Sequence, residues 1–491
     1  MMNKFNLVDE KWIPVANEGL VSLQDIFTKD FVALGGTPTQ KIAITKLLLA
    51  ISQAAYTPKD DNEWQEIGNL GLKTKSLTYL EEKKDLFWLY GDKPFLQMPG
   101  IKDAKIQPFG ALVSGIATGN TTILTQSQIE RELGDPEIAL LIVELQNFAF
   151  GGKKTDNSII LSLGYQGKFN ENNNARTGKP ATALGFLGFL HSFVLGSSIS
   201  ETLHLNLLTT SQIEMTPHFS GGVGSPPWEK MPKGEECKRA EELKTSYLGR
   251  LVPLCRFILI SSEGIHYSEG ILYSGYAEGG FDLSSAVDYT KDKPRALWVN
   301  IEKRPWRKLS SLLGFLGSEK SDYDCYQLRY SLPRVRNVLG KVGIWTGGIK
   351  VSNNAGEQFS SGTDDYIESE FFLDSSWLGE SWMLHLRNEM LILDAISKNI
   401  YACAINFYKQ QLVDGKDQAV LASNLFWQLI EPHFQSLVES CGKESPEEMR
   451  NTFISLAHKS YDYFCRRDTS RQLDAWAANR PKLEKYLEVV K

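Results

Sequence analysis

The residues of this chain that are best suited to touch another polar molecule lie between 345 and 364. Asn353 and Asn354 follow Ile349 and Val351, two residues that favour strands, and precede a glycine in a sequence typical of a turn. We expect a hairpin or loop tipped with amides, which can pair with polar edges such as those of nucleic-acid bases. A solvated linker is the alternative interpretation of the same residues.

A second set of candidate contact residues is cationic. Between 291 and 341 the sequence has twelve Lys or Arg and five Asp or Glu, a formal charge of +7 in a chain whose formal charge is −6. This asymmetry favours a surface that faces a polyanion. Trp298 and Trp306 lie among these cations, an interleaving typical of nucleic-acid contact. A solvated basic face, with the tryptophans in a core, is the alternative.

The sequence Gly151-Gly152-Lys153-Lys154 could also contact phosphate. Glycines let a backbone approach a phosphate closely, and a neighbouring ammonium neutralises its charge. The sequence lacks the Gly-Lys-Ser/Thr ending of a Walker loop, and an exposed turn would have the same composition.

Motifs of known catalytic centres are absent from the sequence. Its seven histidines and six cysteines are scattered, without His-Glu-x-x-His or Cys-x-x-Cys, so we expect no metal and no cofactor. The acidic segment 364–370, with Asp364, Asp365, Glu368 and Glu370, could hold a divalent ion in a metal-dependent phosphodiesterase. A charged loop running into a helix is the alternative for this segment.

The elements that position these residues follow two different patterns. Up to residue 365 the sequence alternates short strand-like runs with helices, including an apolar helix from Thr39 to Ala55 with Thr39 as its cap, and a strand from Thr202 to Leu208. Gly347-Gly348, at the junction, permits unusual backbone angles. From 366 to 491 the pattern is helical, so we predict an α+β fold with a mixed α/β domain (1–365) and a C-terminal four-helix bundle (366–491).

The helical part has an apolar stripe at three- and four-residue steps along its first helix. We expect the following stripe residues to be buried: Trp382, Leu386, Met390, Leu393, Ile396, Ile400, Cys403 and Phe407. Pro432 should kink the second helix. Ser445 and Glu448 predict a capping box at the start of the third helix, and Pro481 should divide the last.

Continuous apolar runs of about 20 residues, which a bilayer-spanning helix needs, are not found in the sequence, and the N-terminal residues lack a signal-peptide core. We therefore expect a cytoplasmic protein that does not enter a membrane.

Several of these segments together, in this order and spacing, resemble the CasA family, the large subunit of the type I-E CRISPR Cascade complex. The resemblance covers nearly the whole chain. It is carried by these sequences: Lys11-Trp12-Ile13-Pro14-Val15, Pro94-Phe95-Leu96-Gln97, the Thr-rich segment 119–126, Trp345-Thr346-Gly347-Gly348 and Phe426-Trp427-Gln428-Leu429-Ile430-Glu431.

The resemblance implies the fold described above and a non-catalytic function. Members of the family recognise the protospacer-adjacent motif in double-stranded target DNA, help to open the duplex, and recruit a helicase-nuclease. The implied partners are the crRNA-containing backbone, small and handle-binding subunits of the complex. This division is physically reasonable, because guide pairing supplies the long-range sequence specificity.

The resemblance also implies a function for four segments of this chain. The docking loop near the crRNA 5′ handle corresponds to Ile123, Leu124, Thr125 and Gln126, and the glycine loop that enters the minor groove corresponds to Gly151 and Gly152 with Lys153 and Lys154. The wedge beneath the first opened base pair corresponds to Ser352, Asn353 and Asn354. The lysine finger falls at Lys291 or Lys293, and no zinc is implied.

Two other classes of function remain open from the residues alone. One is the metal-dependent phosphodiesterase with the 364–370 acids. The other is a structural bundle protein that bridges partners without touching DNA, which the +7 segment disfavours.

Overall fold

The structure, a computed structural model, describes most of the chain. The described residues are 5–113, 132–148, 156, 159, 184–185, 188–274, 282–301, 304–316, 323–336, 340–354, 357–359, 365–443 and 445–487. They form two compact units, the first within 1–305, 323–335 and 344–370, and the second within 306–322, 336–343 and 371–491.

The second unit includes segments that precede the predicted domain boundary between 365 and 366. Trp306 explains one of them: it is 2% exposed, and its ring lies 5.7 Å from that of Trp427 and 4.6 Å from that of Phe434. An aromatic core therefore joins the segment around Trp306 to the C-terminal helices.

The first unit contains both helices and short strands. Its described helices are Leu23–Thr28, Pro38–Ala55, Asp61–Glu82, Asp135–Asn147, Ile199–Asn206, Thr210–Met215, Lys238–Thr245, Tyr247–Leu251 and Tyr326–Val335. The strands that the structure describes are Ile13–Val15, Gly19–Val21, Ile106–Gln107, His191–Leu195, Arg256–Ser261, Gly264–Glu269, Val287–Asp288, Arg295–Ala296, Tyr323–Asp324, Lys341–Ile349, Ser352–Asn354, Glu357–Phe359 and Tyr366–Asp374. The α+β class predicted from the sequence is thus confirmed.

The helix Pro38–Ala55 begins before the predicted cap at Thr39. Thr37 is the N-cap and forms a capping box with Gln40, while Pro38 occupies the first turn. Thr39 is buried inside the helix, and its hydroxyl donates to Glu144 Oε1 at 2.6 Å. Thr39, predicted to cap the helix, instead connects it to the helix Asp135–Asn147.

The predicted strand from Thr202 to Leu208 is wrong, because this segment belongs to the helix Ile199–Asn206. Ser198 caps that helix by accepting from the backbone N–H of Glu201. The side chain of Asn206 bonds to both the N–H and the C=O of Val194 in the strand that precedes it. This side chain supplies the backbone pairing that a neighbouring strand would have given.

A three-stranded sheet has the strand order Tyr366–Asp374, Lys341–Ile349, His191–Leu195. The predicted charged loop running into a helix at 364–370 is therefore wrong from residue 366 onward. Gly347 and Gly348 lie inside a strand rather than at a turn. A side chain at Gly348 would meet Phe189 O at 2.7 Å, so these glycines permit close approach of neighbouring strands.

The core of the first unit contains a polar network. Lys46 forms an ion pair with Asp282, whose Oδ1 accepts from the hydroxyl of Ser284 at 2.7 Å. Ser284 Oγ in turn lies 3.0 Å from His191 Nδ1. Burial lowers the pKa of His191 to about 4, so the imidazole is neutral at physiological pH.

The second unit is mainly helical, with parts of the strands Lys341–Ile349 and Tyr366–Asp374. Its described helices are Leu309–Leu312, Glu380–Gln410, Lys416–Ile430, Phe434–Gly442, Arg450–Phe464 and Ser470–Ala478. The long helix Glu380–Gln410 packs against all four C-terminal helices through the predicted stripe, which is buried except for the partly exposed Cys403. This helix is also long and apolar enough to cross a membrane by length and composition, a property that core helices of soluble proteins share.

Pro432 interrupts the helical pattern of the second unit as the sequence predicts, whereas the last α-helix, Ser470–Ala478, already ends before Pro481. A 3₁₀ turn at Glu431–His433, around Pro432, separates the helices on either side of it. The capping box predicted for Ser445 is wrong, because the next segment, Pro446–Met449, is a 3₁₀ turn and the Ser445 side chain caps no backbone N–H. The Ser445 hydroxyl instead lies 3.4 Å from the carboxylate of Glu448.

A buried ion pair connects two helices of this unit. Arg450 Nη2 lies 2.5 Å from Glu389 Oε1, and Arg450 Nε lies 3.1 Å from Glu389 Oε2. Their side chains are 6% and 2% exposed. The two-pronged geometry offsets the cost of taking both charges out of water.

Candidate nucleic-acid interface

A small antiparallel sheet carries the cations of the predicted site that the structure describes. Val287–Asp288 is its central strand, paired with Arg295–Ala296 on one side and Tyr323–Asp324 on the other. Val287 and the residues opposite it are buried, whereas Asp288 and its partners Arg295 and Tyr323 are at least partly exposed. One face of this sheet thus packs on the core and the other faces solvent.

Lys291 and Lys293 lie in the connection between the first two strands, and both are exposed. Neither forms an ion pair with a residue that the structure describes. Asp288 fixes the start of the connection, since its Oδ1 accepts from the N–H of Thr290 at 2.8 Å and from its hydroxyl at 2.6 Å. With Arg295, which is also exposed, the two lysines form a cationic tip on an ordered hairpin. We call Lys291, Lys293 and Arg295 the cationic tip.

Other cations of the 291–341 segment form contacts within the protein instead of facing solvent. Arg307 lies 3.8 Å from the ring centroid of Trp427 and 3.9 Å from Asp394. Trp306 beside it is core, so the alternative interpretation of the tryptophan–cation pattern is the correct one there. The basic segment is therefore not one continuous surface.

Arg334 is a second buried cation from this segment. Its Nη2 donates to Leu207 O at 2.7 Å, near the C-terminus of the helix Ile199–Asn206, and its guanidinium lies 4.6 Å from the ring centroid of Trp64. Burial lowers the pKa of Arg334 to about 10, so it stays charged at neutral pH. This arginine stabilises the first unit and is not available to a ligand.

The junction forms the predicted hairpin. Ser352, Asn353 and Asn354 form a strand whose antiparallel partner is Glu357–Phe359, with Asn353 opposite Gln358. The hairpin directly follows Val351, whose burial fixes the position at which the hairpin begins. The backbone of this segment is thus a hairpin, one of the two forms predicted from its sequence.

The acidic residues near the junction are engaged by neighbouring groups. Glu368 Oε2 accepts from Lys41 Nζ at 2.7 Å and from Trp345 Nε1 at 2.8 Å. Asp365 is buried, and burial raises the pKa of Glu370. Among the described residues we find no group of three or more His, Cys, Asp or Glu that could hold a metal ion.

Two of the predicted segments lie outside the described residues. These are the docking loop with Ile123, Leu124, Thr125 and Gln126, and the glycine loop with Gly151, Gly152, Lys153 and Lys154. The helix Asp135–Asn147 ends shortly before the glycine loop, and the polar side chains of its last turn are buried.

Four tyrosines beside the cationic tip did not figure in the sequence prediction. Tyr289 precedes the tip and Tyr323 lies on the third strand. Tyr326 is the first residue of the following helix, and Tyr330 lies one turn further along it. Their signal in the sequence is four tyrosines between 289 and 330, a segment that also holds many Lys and Arg, whereas the prediction considered only the tryptophans of that segment.

Comparison with known proteins identifies the family. Residues 6–460 match the family described as CRISPR-associated protein Cse1. The chain belongs to the Cse1 family. The resemblance to CasA found in the sequence is thereby confirmed, since a curated relative from Thermus thermophilus is described as CRISPR-associated protein CasA/Cse1. That relative is 25% identical over 338 residues, which cover 64% of this chain and 61% of the relative's length.

Solved Cse1 structures share the fold of this family member over nearly its full length. Cse1 from Thermobifida fusca is 18% identical with a TM-score of 0.79, covering 99% of this chain and 98% of that one. CasA (Cse1) from Thermus thermophilus is 18% identical with a TM-score of 0.71, covering 99% and 100%. A chain of a CRISPR RNA-guided surveillance complex is 14% identical with a TM-score of 0.70, covering 98% and 99%.

Proposed function

We propose that this chain is the large, non-catalytic subunit of a type I-E CRISPR complex that recognises the protospacer-adjacent motif in double-stranded DNA. It helps to initiate strand opening and recruits a helicase-nuclease after the target is bound. The observation that carries the proposal is the cationic tip, a hairpin of a Cse1-family chain whose exposed lysines form no ion pair with a residue that the structure describes.

The chemistry of the tip suits contact with a DNA backbone. Ammonium and guanidinium groups bind phosphates and release counterions, a contribution to affinity that does not depend on sequence. A narrow hairpin can also reach into the minor groove, where the pattern of donors and acceptors is degenerate. Recognition of the motif by this route would accept more than one base at a given position.

The junction hairpin is the part of the proposed site that opens the duplex. Unstacking one base step costs about a few kcal/mol, which phosphate contacts made elsewhere can offset. Ser352, Asn353 and Asn354 lie on one strand of this hairpin, and their polar groups can pair with bases that have lost their partners. The glycine loop at 151–154 is proposed to add minor-groove contacts, and the loop at 123–126 to dock near the crRNA 5′ handle.

The proposed partners are the crRNA-containing backbone, small and handle-binding subunits, the target DNA and the helicase-nuclease. In this arrangement guide pairing reads the long target sequence and the protein reads a short motif. A cytoplasmic location, where the complex meets incoming DNA, is part of the proposal.

The experiment that tests the proposal compares complexes assembled with and without this chain. We expect the complete complex to bind a duplex carrying the motif at least tenfold more tightly than one with a scrambled motif, a discrimination of about 1.4 kcal/mol. Equal binding of both duplexes, or equal discrimination without this chain, would overturn it. Incubation of the pure chain with labelled DNA and Mn²⁺ separates the phosphodiesterase alternative, because that alternative requires cleavage.

A further inference from the structure

The four tyrosines next to the cationic tip form a distinct surface. We call Tyr289, Tyr323, Tyr326 and Tyr330 the tyrosine surface. All four are partly exposed, although the phenol of Tyr289 is hydrogen-bonded to Tyr326. The rings of Tyr326 and Tyr330 lie 6.1 Å apart, and the hydroxyl of Tyr330 lies 2.7 Å from Thr216 Oγ1. These contacts hold the rings in fixed positions at the surface.

The sheet register brings the tyrosine surface and the cationic tip together. Asp288 is opposite Arg295 on one neighbouring strand and opposite Tyr323 on the other. Because adjacent strands are about 4.8 Å apart, Arg295 and Tyr323 lie roughly 10 Å from each other across the solvent-facing row. Tyr289 is two positions from Lys291 along the chain. A single short oligonucleotide could therefore touch both.

The cations around this surface outnumber the available acids. Arg329, whose side chain is 45% exposed, bonds to the buried Asp324 at 2.7 Å. The carboxylate of Asp288 is occupied by the turn that it fixes. The three cations of the tip remain directed toward solvent, with Asp292 as the exposed acid between the two lysines.

We propose that the tyrosine surface binds unpaired nucleotides, with bases stacking on its rings while the cationic tip neutralises the adjacent phosphates. Aromatic rings that alternate with cations are the usual means of holding single strands without sequence preference. A duplex has no free base faces to stack, whereas a strand displaced from one does. The inference rests on the proposed function, because strand opening near this chain would supply the unpaired nucleotides.

The test uses the full chain and a fluorescein-labelled dT20 oligonucleotide, with anisotropy as the readout. Tyr323→Leu combined with Tyr330→Leu keeps apolar volume and removes two rings, and should weaken dT20 binding about fivefold or more. Tyr323→Phe combined with Tyr330→Phe keeps the rings and should bind dT20 as the unchanged chain does. Tyr463→Leu, at a tyrosine that is 69% exposed in the second unit, is the matched control and should have no effect.

Crosslinking of the unchanged chain tests the same inference without any substitution. The oligonucleotide carries 5-iodouracil, which crosslinks to aromatic side chains, and the adducts are mapped by mass spectrometry. We expect adducts on Tyr289, Tyr323, Tyr326 or Tyr330. Adducts confined to other residues, or equal dT20 binding by the Leu and Phe pairs, would overturn the inference even if the Leu pair proved less stable.

Three further outcomes distinguish the alternatives. If polyglutamate displaces dT20 at equal charge concentration and the Leu pair binds polyglutamate normally, the surface is a general anion site and the inference fails. If the assembled complex discriminates the motif in duplex DNA but dT20 binding is insensitive to the tyrosines, this inference fails and the proposed function stands. If the assembled complex does not discriminate the motif but dT20 binding still depends on the tyrosines, the proposed function fails and this inference stands.

Discussion

Removing the two lysines of the cationic tip should change how duplex binding depends on salt. Each phosphate contact contributes a slope of about −0.9 to the dependence of log K on log salt for B-DNA. Lys291 and Lys293 are both exposed, so each can make one such contact. Lys291→Ala combined with Lys293→Ala should then flatten the slope by about 1.8. The advantage of the unchanged complex over the variant should shrink about 12-fold between 50 and 200 mM salt.

The assay is a titration of labelled duplex with the assembled complex at several salt concentrations. Lys291→Arg combined with Lys293→Arg keeps both charges and should keep the slope. Lys409→Ala combined with Lys416→Ala removes two exposed lysines from the second unit and is the matched control for net charge. An unchanged slope in the Ala pair at the tip, or an equal change in the control pair, would refute the assignment of the tip to DNA contact.

Three other predictions concern the junction hairpin and the two cores. Asn353→Ala combined with Asn354→Ala should spare initial duplex binding but slow strand opening, which permanganate footprinting at the first target bases would detect; normal opening would remove the wedge function from these residues. Glu389→Gln should lower the free energy of unfolding of the full chain by about 3–5 kcal/mol in urea, because it removes the negative charge that forms the buried ion pair with Arg450; a change under 1 kcal/mol would contradict this contribution of the ion pair. His191, neutral in the fold with a pKa of about 4, becomes protonated below pH 6.5 when the chain unfolds, so this residue should cost about 2 kcal/mol of stability between pH 7.5 and pH 5. His191→Gln should lose that part of the pH dependence, and an identical pH profile in the variant would show that the histidine does not titrate on unfolding.

The helical half of the chain could be predicted well because its pattern is local. The stripe from Trp382 to Phe407 recurs at helical spacing, and burial of those residues follows directly from helix geometry. Pro432 interrupts a helix because proline has no backbone N–H to donate, a property of that residue alone. Predictions of this kind need no knowledge of distant neighbours.

The errors occurred where a distant partner decides the local structure. Thr39 has a side chain that could cap a helix, but its hydroxyl donates to Glu144 instead. Thr37, two residues earlier, is the N-cap. The apolar segment at 202–208 suits a strand, yet Asn206 pairs with the backbone of Val194 from a helix. Such partners are far apart in sequence, so propensity alone could not find them.

The site was predicted unevenly for a related reason. Lys291 and Lys293 stand out in the sequence because charge is visible there, and the structure finds both at the surface. Charge does not show which cations are exposed, so Arg334 could not be recognised as buried from its position in the same basic segment. The tyrosine surface depends on sheet register, which places Tyr323 next to Asp288 across 35 positions of the chain.

The side chain of Asp288 has a consequence for the kinetics of any encounter with DNA. By accepting twice from Thr290 it settles the backbone of the hairpin before a ligand arrives. If the lysines lay on a flexible loop, DNA binding would order its backbone, at an entropic free-energy cost of about 1–2 kcal/mol for each residue ordered. In this hairpin the backbone entropy is already lost when the protein folds, so DNA binding costs only the rotamer entropy of the lysine side chains. Asp288→Ala should therefore shorten the residence time of bound DNA while leaving the charge that draws it in unreduced.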